Sequence, residues 1–480
     1  MATITRPRAT VDVERPPAPS RPVADDSPPA RWFFYSAIGW LMLNVTLGIV
    51  LSIFLYTPAI QSAIPDALRA ELNFGRLRPV HVSAGIFGWV SMMWAGAALY
   101  VTPRLLKTRL YSERLAWVTL ALWNAAILGT VLTLPLGYSQ GREYAEIPWV
   151  FDLMLTAALV LLAVNLWGTI ARRTERRIFV SVWLWAISAS VGGVVYAIGN
   201  KVWDPSGSYT GLNDAIVQYF YIHNLFNAWF TTSAFGVVFY LLPRLTGNPL
   251  YSHRLAMWGF TSVWTGQHHA LYSPAPEWLE ITSVALSILA IIPNAALAYN
   301  FAMTMRGKWG TLRENLPLRW LSVGVIFYLF TCVQGIGQSF RTFSSYIHFT
   351  NWIVGHSHLA FVAGYSFFGF ALATYLLPRM LGRPLVPRRV AEWHFWATFV
   401  SVTAFMYVLW LIGIIQADRW QDNVPFLTIV RDLKPWFFVR LVVGAALALS
   451  QLLFLYVFIS TLRAPKDEAP APALATATAG

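Results

Sequence analysis

The stretch His348-Phe-Thr-Asn-Trp-Ile-Val-Gly-His356-Ser-His358 opens an apolar segment that runs to about residue 379. It places two histidines inside a segment long enough to cross a membrane, for which roughly 20 apolar residues suffice. Positions two apart differ by about 200° around a helix. His356 and His358 therefore point to opposite sides, and each is expected to bind a separate centre.

Eleven further apolar segments accompany this one. Of the 480 residues, 56% are hydrophobic and 12% are charged, which is about half the charge of a soluble domain. This composition excludes a soluble, disordered or collagen-like chain, and the single Cys332 excludes a disulfide scaffold. The sequence predicts an all-α polytopic membrane protein, with twelve transmembrane helices over residues 31–463 and disordered tails at 1–30 (Pro/Arg-rich) and 464–480 (Ala/Pro-rich). The predicted helices span 33–58, 80–102, 115–137, 148–171, 178–199, 214–243, 253–273, 278–305, 318–341, 349–379, 393–416 and 436–462.

The basic residues indicate the orientation of the chain. Of 35 Lys and Arg residues, 25 fall in the two tails and in the loops on their side, and 10 fall on the opposite side. Basic residues are enriched on the cytoplasmic side, so both termini are predicted to be cytoplasmic in a bacterial-type inner membrane. A basic belt at the membrane surface explains the net charge of +13 without nucleic acid. The sequence shows no signal peptide and no evident internal repeat, so an inverted-repeat transporter gains no support.

Six of the nine histidines fall in the outer half of the predicted bilayer, from four helices. Ionisable residues inside a membrane helix are functional candidates by default. His81 matches the depth of His358, so this pair suits one haem iron held from both sides. His356 would then be the only protein ligand of a second haem, leaving a position open for substrate.

The remaining deep histidines form a possible three-imidazole site for copper or iron. His223 would meet the adjacent His268 and His269 only if their helix end is distorted, which Gly266 permits. His253 and His394 are predicted as interfacial surface residues at helix starts.

Together these stretches resemble the catalytic subunit I of the haem–copper oxidase superfamily, in its C-type (cbb-type) cytochrome c oxidase and nitric oxide reductase branch. The resemblance covers residues 33–463. The stretches that carry it are Phe74-Gly-Arg-Leu-Arg-Pro-Val-His81, Gly137-Tyr-Ser-Gln-Gly-Arg-Glu143-Tyr-Ala-Glu146, Gln218-Tyr-Phe-Tyr-Ile-His223-Asn, Trp264-Thr-Gly-Gln-His268-His269 and the opening stretch, 348–358.

The resemblance implies a cofactor for each matched residue. Glu143 matches a family ligand of calcium, an ion that favours oxygen donors; a solvated outer loop is the alternative for Glu143 and for Glu146. Asp152 suits the start of a helix dipole. The implied set is a low-spin haem b on His81 and His358, a high-spin haem on His356, non-haem Cu or Fe on His223, His268 and His269, Ca on Glu143, and propionates beside Arg78 and His348.

One departure from the family bears on the substrate. Oxygen reductases carry a tyrosine, cross-linked to a metal-ligand histidine, that supplies an electron and a proton when the O–O bond breaks. Here the two family positions for it hold Asn227 and Ser262, and nearby Tyr221 and Tyr272 are expected to be packing or interfacial residues. Nitric oxide reductases also lack this tyrosine, although they usually place Glu at position 227. Reduction of NO to N2O is therefore favoured, with an O2-reducing C-type cytochrome c oxidase as the alternative.

Several other polar residues bear on whether the chain can conduct protons. Gln334 and Asn351 stand where the C-type pattern has carboxylates. Gln338 and Arg341 either form a polar outer path or satisfy a helix end. The inner helix halves hold almost no acids, which disfavours a proton pump. A hydroxyl chain or close helix packing is predicted for Thr261, Ser262 and Thr265.

The sequence also bears on the electron donor and on the class of protein. The chain has no Cys-x-x-Cys-His, so electrons are expected from a c-type cytochrome subunit or cytochrome c, with quinol left open. A haem-free transporter or channel would show no Soret absorption and would leave the six histidines unexplained. A haem-based gas sensor without turnover is the remaining alternative class.

Overall fold

A computed structural model describes residues 27–258 and 266–466, and within these ranges every regular element is helical. Eleven helices there are long and apolar enough to span a membrane, in agreement with all but the seventh predicted segment. That segment (253–273) has its middle, 259–265, outside the described residues, between a turn at His253–Met257 and a 3-10 turn at Gln267–Ala270. The long helices are α1 Pro28–Tyr56, α2 Phe74–Leu105, α3 Glu113–Thr133, α4 Trp149–Ala171, α5 Val180–Gly199, α6 Gly211–Thr246, α7 Glu277–Thr304, α8 Leu316–Ser339, α9 Asn351–Leu381, α10 Arg388–Gln421 and α11 Lys434–Arg463. Short helical turns lie at Pro58–Ala63, Asp66–Arg69, Trp309–Arg313, Arg341–Ile347 and Phe426–Asp432.

The first and last helices pack antiparallel, which brings both described chain ends to one end of the bundle. Tyr35, early in α1, lies 5.5 Å from Phe458, late in α11, and Tyr56 lies 5.2 Å from Phe438, early in α11. We call the end that holds both chain ends the inner end and the opposite one the outer end. By this definition α1 runs outward, and α11 runs inward.

Three helices, α2, α6 and α9, share one plan that the sequence analysis missed. Each carries histidine in its outer half, continues through a π-helical segment, and ends in Tyr-x-x-Pro-Arg. In each, the arginine folds back to 3.5–4.0 Å from the centre of the tyrosine ring and donates to that tyrosine's carbonyl oxygen. All three run inward, so the repeat is not an inverted one. The π segments are Ala84–Val90, Phe226–Thr231 and Leu359–Tyr365, and the ends are 100–104, 240–244 and 375–379.

The π-helical segments lie next to the predicted sites. They begin within three residues of His81, His223 and His358. Such segments are rare and often mark functional sites, because the wider turn re-aims the side chains around it. The sequence gives no direct sign of them, since their residues are as apolar as those of the flanking α-helix.

Candidate haem and metal sites

His81 on α2 and His358 on α9 face each other inside the bundle. Their ring centroids are 6.4 Å apart and their planes differ by 25°. A bond from a metal to an imidazole nitrogen is about 2 Å long. Two such bonds in line, with the ring radii added, require a centroid separation of roughly 6 Å. The spacing fits one iron between the two rings.

Hydrogen bonds determine which nitrogen of each ring faces the gap. Nδ1 of His81 lies 2.9 Å from the backbone oxygen of Asn44, and Nδ1 of His358 lies 2.8 Å from that of Val354. A carbonyl oxygen only accepts, so each Nδ1 carries a proton and donates it. Each Nε2 lone pair is therefore left for a metal, the usual arrangement of ligand histidines.

A cavity of about 90 Å³ runs along both rings. Gly48 keeps it open, because a β-carbon there would lie 3.3 Å from the ring of His81. Arg440 of α11 lines the cavity and donates from Nη1 to Oδ1 of Asn351 at 3.0 Å. A guanidinium at this point suits carboxylate groups such as haem propionates. Sequence reasoning missed Arg440, although an arginine inside a predicted span was a usable signal.

His223, His268 and His269 come together as the sequence predicted. One ring nitrogen from each lies within 4.8 Å of the others, and the ring centroids are 4.1–5.6 Å apart. Three imidazoles at this spacing leave room for one copper, iron or zinc ion. Among the described residues this is the one His, Cys, Asp or Glu group with such geometry.

The adjacent pair converges because it does not lie on a regular α-helix. His268 and His269 belong to the 3-10 turn Gln267–Ala270, which packs closely against α6. A β-carbon on Gly266 would lie 2.1 Å from the backbone oxygen of Tyr219. Only glycine permits this approach, so the structure gives Gly266 a packing role against α6 in addition to the helix distortion that the sequence predicted.

Two serines of α7 orient His268. Oγ of Ser287 lies 2.8 Å from Nδ1 of His268, and Oγ of Ser283 lies 3.2 Å from the same atom. The Ser287 hydroxyl donates its own proton to the backbone oxygen of Ser283 at 2.8 Å. Ser287 must therefore accept from His268, which puts the ring proton on Nδ1 and leaves Nε2 for the metal. The missed signal was spacing, since the buried residues of the first half of α7 are Glu280, Ser283 and Ser287, on one helical face.

Tyr219 is a phenol beside the three histidines that sequence reasoning also missed. Its ring lies 6.3 Å from that of His269, with the planes 16° apart. It sits one turn before His223 on α6, so both residues share a face. The spacing of four residues was a usable signal.

His356 is separated from the His81 and His358 pair by its opposite direction on α9. Its Nδ1 lies 3.3 Å from Oε1 of Gln334 on α8, an oxygen that accepts. Gly335 lies beside the ring, because a β-carbon there would be 3.6 Å from Cε1. His356 therefore has a neutral hydrogen-bond acceptor on Nδ1, and no described residue forms a hydrogen bond with its Nε2.

The two acidic residues of the outer loop before α4, Glu143 and Glu146, have different surroundings. Glu143 forms an ion pair with Arg78. The predicted calcium ligand and the predicted propionate residue therefore lie side by side. Glu146 is 8% exposed, and burial raises its pKa to about 7. The His348 ring stacks on Phe349 at 4.1 Å, and burial lowers its pKa.

Asp152 does more than face a helix dipole. It is fully buried, and its carboxylate accepts from the Tyr196 hydroxyl and from the Gln140 amide, each at 2.5 Å. A buried carboxylate needs such partners. The structure therefore gives Asp152 a structural place between the outer loop and α5.

The positions that decide the substrate are only partly described. Asn227 is half-buried in the π segment of α6, one turn after His223. Tyr221 donates to the backbone oxygen of Tyr144 at 3.0 Å, and Tyr272 is 61% exposed. The predictions for Thr261, Ser262 and Thr265 lie outside the described residues.

Arg341 forms ion pairs at the outer end of α7, with Glu277 and with the buried Glu280, both at 3.2 Å. The amide nitrogen of Gln338 is buried with no partner among the described residues. These contacts agree with a polar outer region above the three histidines.

One histidine prediction was wrong. His394 is 2% exposed rather than interfacial. The reason is that α10 begins at Arg388, five residues before the predicted start at 393. His394 therefore lies nearly two turns inside the helix. His253, at the first position of its turn, is half-buried and packs its ring 4.9 Å from Phe179.

A family model described as "Cytochrome C and Quinol oxidase polypeptide I" matches residues 29–446. The chain belongs to this family, subunit I of the haem–copper oxidases. It is 28% identical, over 91% of its own length and 95% of the relative's, to the Cbb3-type cytochrome c oxidase subunit CcoN1 of Stutzerimonas stutzeri. It is 24% identical to a nitric oxide reductase chain of the same organism, with the same coverage of both chains. A solved heme-copper terminal oxidase dimer matches 93% of this chain and 88% of its own, with a TM-score of 0.76 and 15% identity, and so supports the fold.

Membership of the haem–copper oxidase family implies a membrane-embedded oxidoreductase of electron transport, with haem and a copper or iron centre. The residues present fit these groups. The facing rings of His81 and His358 suit a haem, and the three-histidine group suits the additional metal.

Proposed function

We propose that this chain is the catalytic subunit of a respiratory reductase that converts two NO, two electrons and two protons into N2O and water. The low-spin haem b would lie between His81 and His358, and the high-spin haem on His356. The non-haem copper or iron would lie on the three-histidine group, His223, His268 and His269.

One observation carries the choice of NO. Neither family position for the phenol of O2-reducing members holds a tyrosine: Asn227, one turn after His223, stands at the A- and B-type position, and Ser262 stands at the C-type position. Joining two NO molecules needs no O–O cleavage, so it does not require the extra electron and proton of a tyrosine. When bound, the non-haem metal would act as a Lewis acid on a bound diatomic molecule. The Asn227 amide can donate a hydrogen bond to such a ligand.

Reduction of O2 to water is the second candidate, and two observations favour it. The relatives include several cytochrome c oxidase subunits at 28–29% identity. In addition, the Tyr219 phenol stacks beside His269. In this reading Tyr219 would supply the electron and proton that the missing tyrosine supplies elsewhere.

Turnover of the purified membrane complex with NO and with O2, using one reductant for both, separates the candidates. The proposal expects NO consumption to exceed O2 consumption, and Tyr219→Phe to leave NO consumption within twofold of wild type. O2 turnover equal to or above NO turnover, lost in Tyr219→Phe, would establish the second candidate. Metal analysis of the same sample identifies the non-haem ion.

The remaining assignments complete the proposal. Electrons would come from a c-type cytochrome subunit or cytochrome c, because the chain has no Cys-x-x-Cys-His of its own. Calcium would bind at Glu143 in place of Arg78, which would then face the haem propionates together with His348 and Arg440. Both termini would face the cytoplasm of a bacterial-type inner membrane, as the 25-to-10 split of basic residues favours.

A further inference from the structure

His394 is a buried histidine that none of the three centres uses. It is 2% exposed, its ring stacks on Phe454 at 5.2 Å, and it lies 4.9 Å from Trp320 and 4.8 Å from Phe370. An ionisable side chain in a membrane interior is costly to keep and is a functional candidate by default. Packing alone would be served by a further aromatic side chain.

Hydrogen bonds connect His394 to the cavity beside His81 and His358. Its Nε2 lies 3.2 Å from Oε1 of Gln451, whose Nε2 donates to Oγ1 of Thr398 at 3.2 Å. Gln451 and Thr398 both line that cavity. The amide oxygen only accepts, so the His394 proton sits on Nε2. Nδ1 then has the lone pair that can take up a second proton without breaking the connection.

The position of His394 along α10 lies between the inner end and the cavity. It is six residues from Arg388, or about 9 Å at the rise of an α-helix. It is eleven residues, or about 16 Å, from Phe405, whose ring is 5.4 Å from His358. A proton reaching His394 from the inner end would therefore stop short of the haem position.

The groups that face His394 leave its charge uncompensated. From α8, α9 and α11 the contacting side chains are Trp320, Phe370, Phe454 and Gln451, all uncharged. The charged residues on adjoining turns, Arg319 of α8 and Glu392 of α10, neutralise each other in an ion pair. Arg440 is the charged residue that lines the cavity itself, so a new charge in the haem cavity would act on both Arg440 and His394 through the low-dielectric interior.

We propose that His394 binds a proton when the haem between His81 and His358 is reduced. One electron from the respiratory donor adds a negative charge to the cavity, and one proton from water at the inner end binds to Nδ1 of His394. The two charges attract each other through a low-dielectric interior. The proposal rests on the haem assignment to His81 and His358, and is independent of whether NO or O2 is reduced.

Optical redox titration of the low-spin haem over a series of pH values tests this in the intact complex. Because protonated His394 stabilises the reduced haem, the wild-type midpoint potential should fall as the pH rises. His394→Gln keeps a hydrogen bond to Gln451 but cannot take up a proton, and should lose most of this dependence. His253→Gln, the same change at the same end of the bundle, should retain it.

Two results would overturn the proposal: an equal pH dependence in His394→Gln and wild type, or a wild-type midpoint that does not change with pH. If the variant fails to assemble, a reduced-minus-oxidised infrared difference spectrum of wild type with isotope-labelled histidine decides instead. Bands of a newly protonated imidazole support the proposal, and their absence contradicts it. A sample without a low-spin haem spectrum would contradict the haem assignment, not the role of His394.

Discussion

Replacing Ser287 by alanine tests how the non-haem metal is held. The change removes the oxygen that lies 2.8 Å from Nδ1 of His268, while Ser283 keeps a longer contact of 3.2 Å to the same atom. Without Ser287 the ring can rotate and can place its proton on Nε2, the nitrogen that the metal needs.

The expected loss of metal affinity depends on the contact that Ser283 still makes with His268. Loss of a partner that orients a ligand histidine typically costs 10–100-fold in metal affinity, or about 1.4–2.7 kcal/mol. Because Ser283 remains in Ser287→Ala, we expect about 10-fold, at the lower end of that range. Removing both hydroxyls in the Ser283→Ala, Ser287→Ala double variant should reach about 100-fold.

The assay is equilibrium dialysis of the purified complex against a graded chelator, followed by metal analysis. Thr282→Ala is the matched control, since that residue is exposed on the same helix and its hydroxyl donates to the backbone oxygen of Trp278 at 2.7 Å. Ser287→Thr keeps the hydroxyl and should restore affinity. A double variant that binds metal within twofold of wild type would refute the reasoning.

Four further changes have defined outcomes. Gly266→Ala puts a β-carbon 2.1 Å from a backbone oxygen of α6, so metal analysis should show loss of the non-haem metal while the haem spectra persist. Gln334→Glu places a negative charge on the acceptor of His356 Nδ1 and should lower the midpoint potential of the high-spin haem in redox titration. For Glu146, burial raises the folded-state pKa from 4.5 to about 7, so the folded state binds more protons than the unfolded state between these pH values. Wild-type thermal stability should therefore fall as the pH rises from 4.5 to about 7, and it should fall more than that of Glu146→Gln. Asn227→Glu adds a hard oxygen ligand and should raise the iron-to-copper ratio after competitive loading, with Asn227→Gln as the control.

Those parts of the fold and site that depend on one helix at a time were predictable from sequence. Apolar length located the spans, and depth along each span grouped the six histidines. His356 and His358 were assigned to different centres from helical geometry alone. Gly266 was recognised because adjacent helical residues cannot converge without a break.

What could not be predicted depends on register between helices. Ser287 reaches His268 only because α7 packs against the 3-10 turn, and no pattern within either segment specifies that contact. Arg440 meets Asn351 across two helices distant in sequence. The prediction for His394 was wrong for a local reason. Its helix begins several residues before the apolar run from which the helix was predicted, because polar residues form the first turn.

The charge of the proposed non-haem site links the metal to the substrate. Its three ligands are neutral imidazoles, and the next residue in reach on α6, Asn227, is neutral as well. These four side chains therefore supply no negative charge to offset a highly charged metal, which is costly in a low-dielectric interior. The site should favour the lower oxidation state of whichever metal it holds. That preference suits electron delivery to a neutral diatomic molecule and opposes iron in its oxidised form, which family members with Glu at this position stabilise. In the proposal, Asn227 therefore bears on both the substrate and the metal, because it stands where A- and B-type oxygen reductases have the phenol and where nitric oxide reductases usually have the Glu that helps to hold iron.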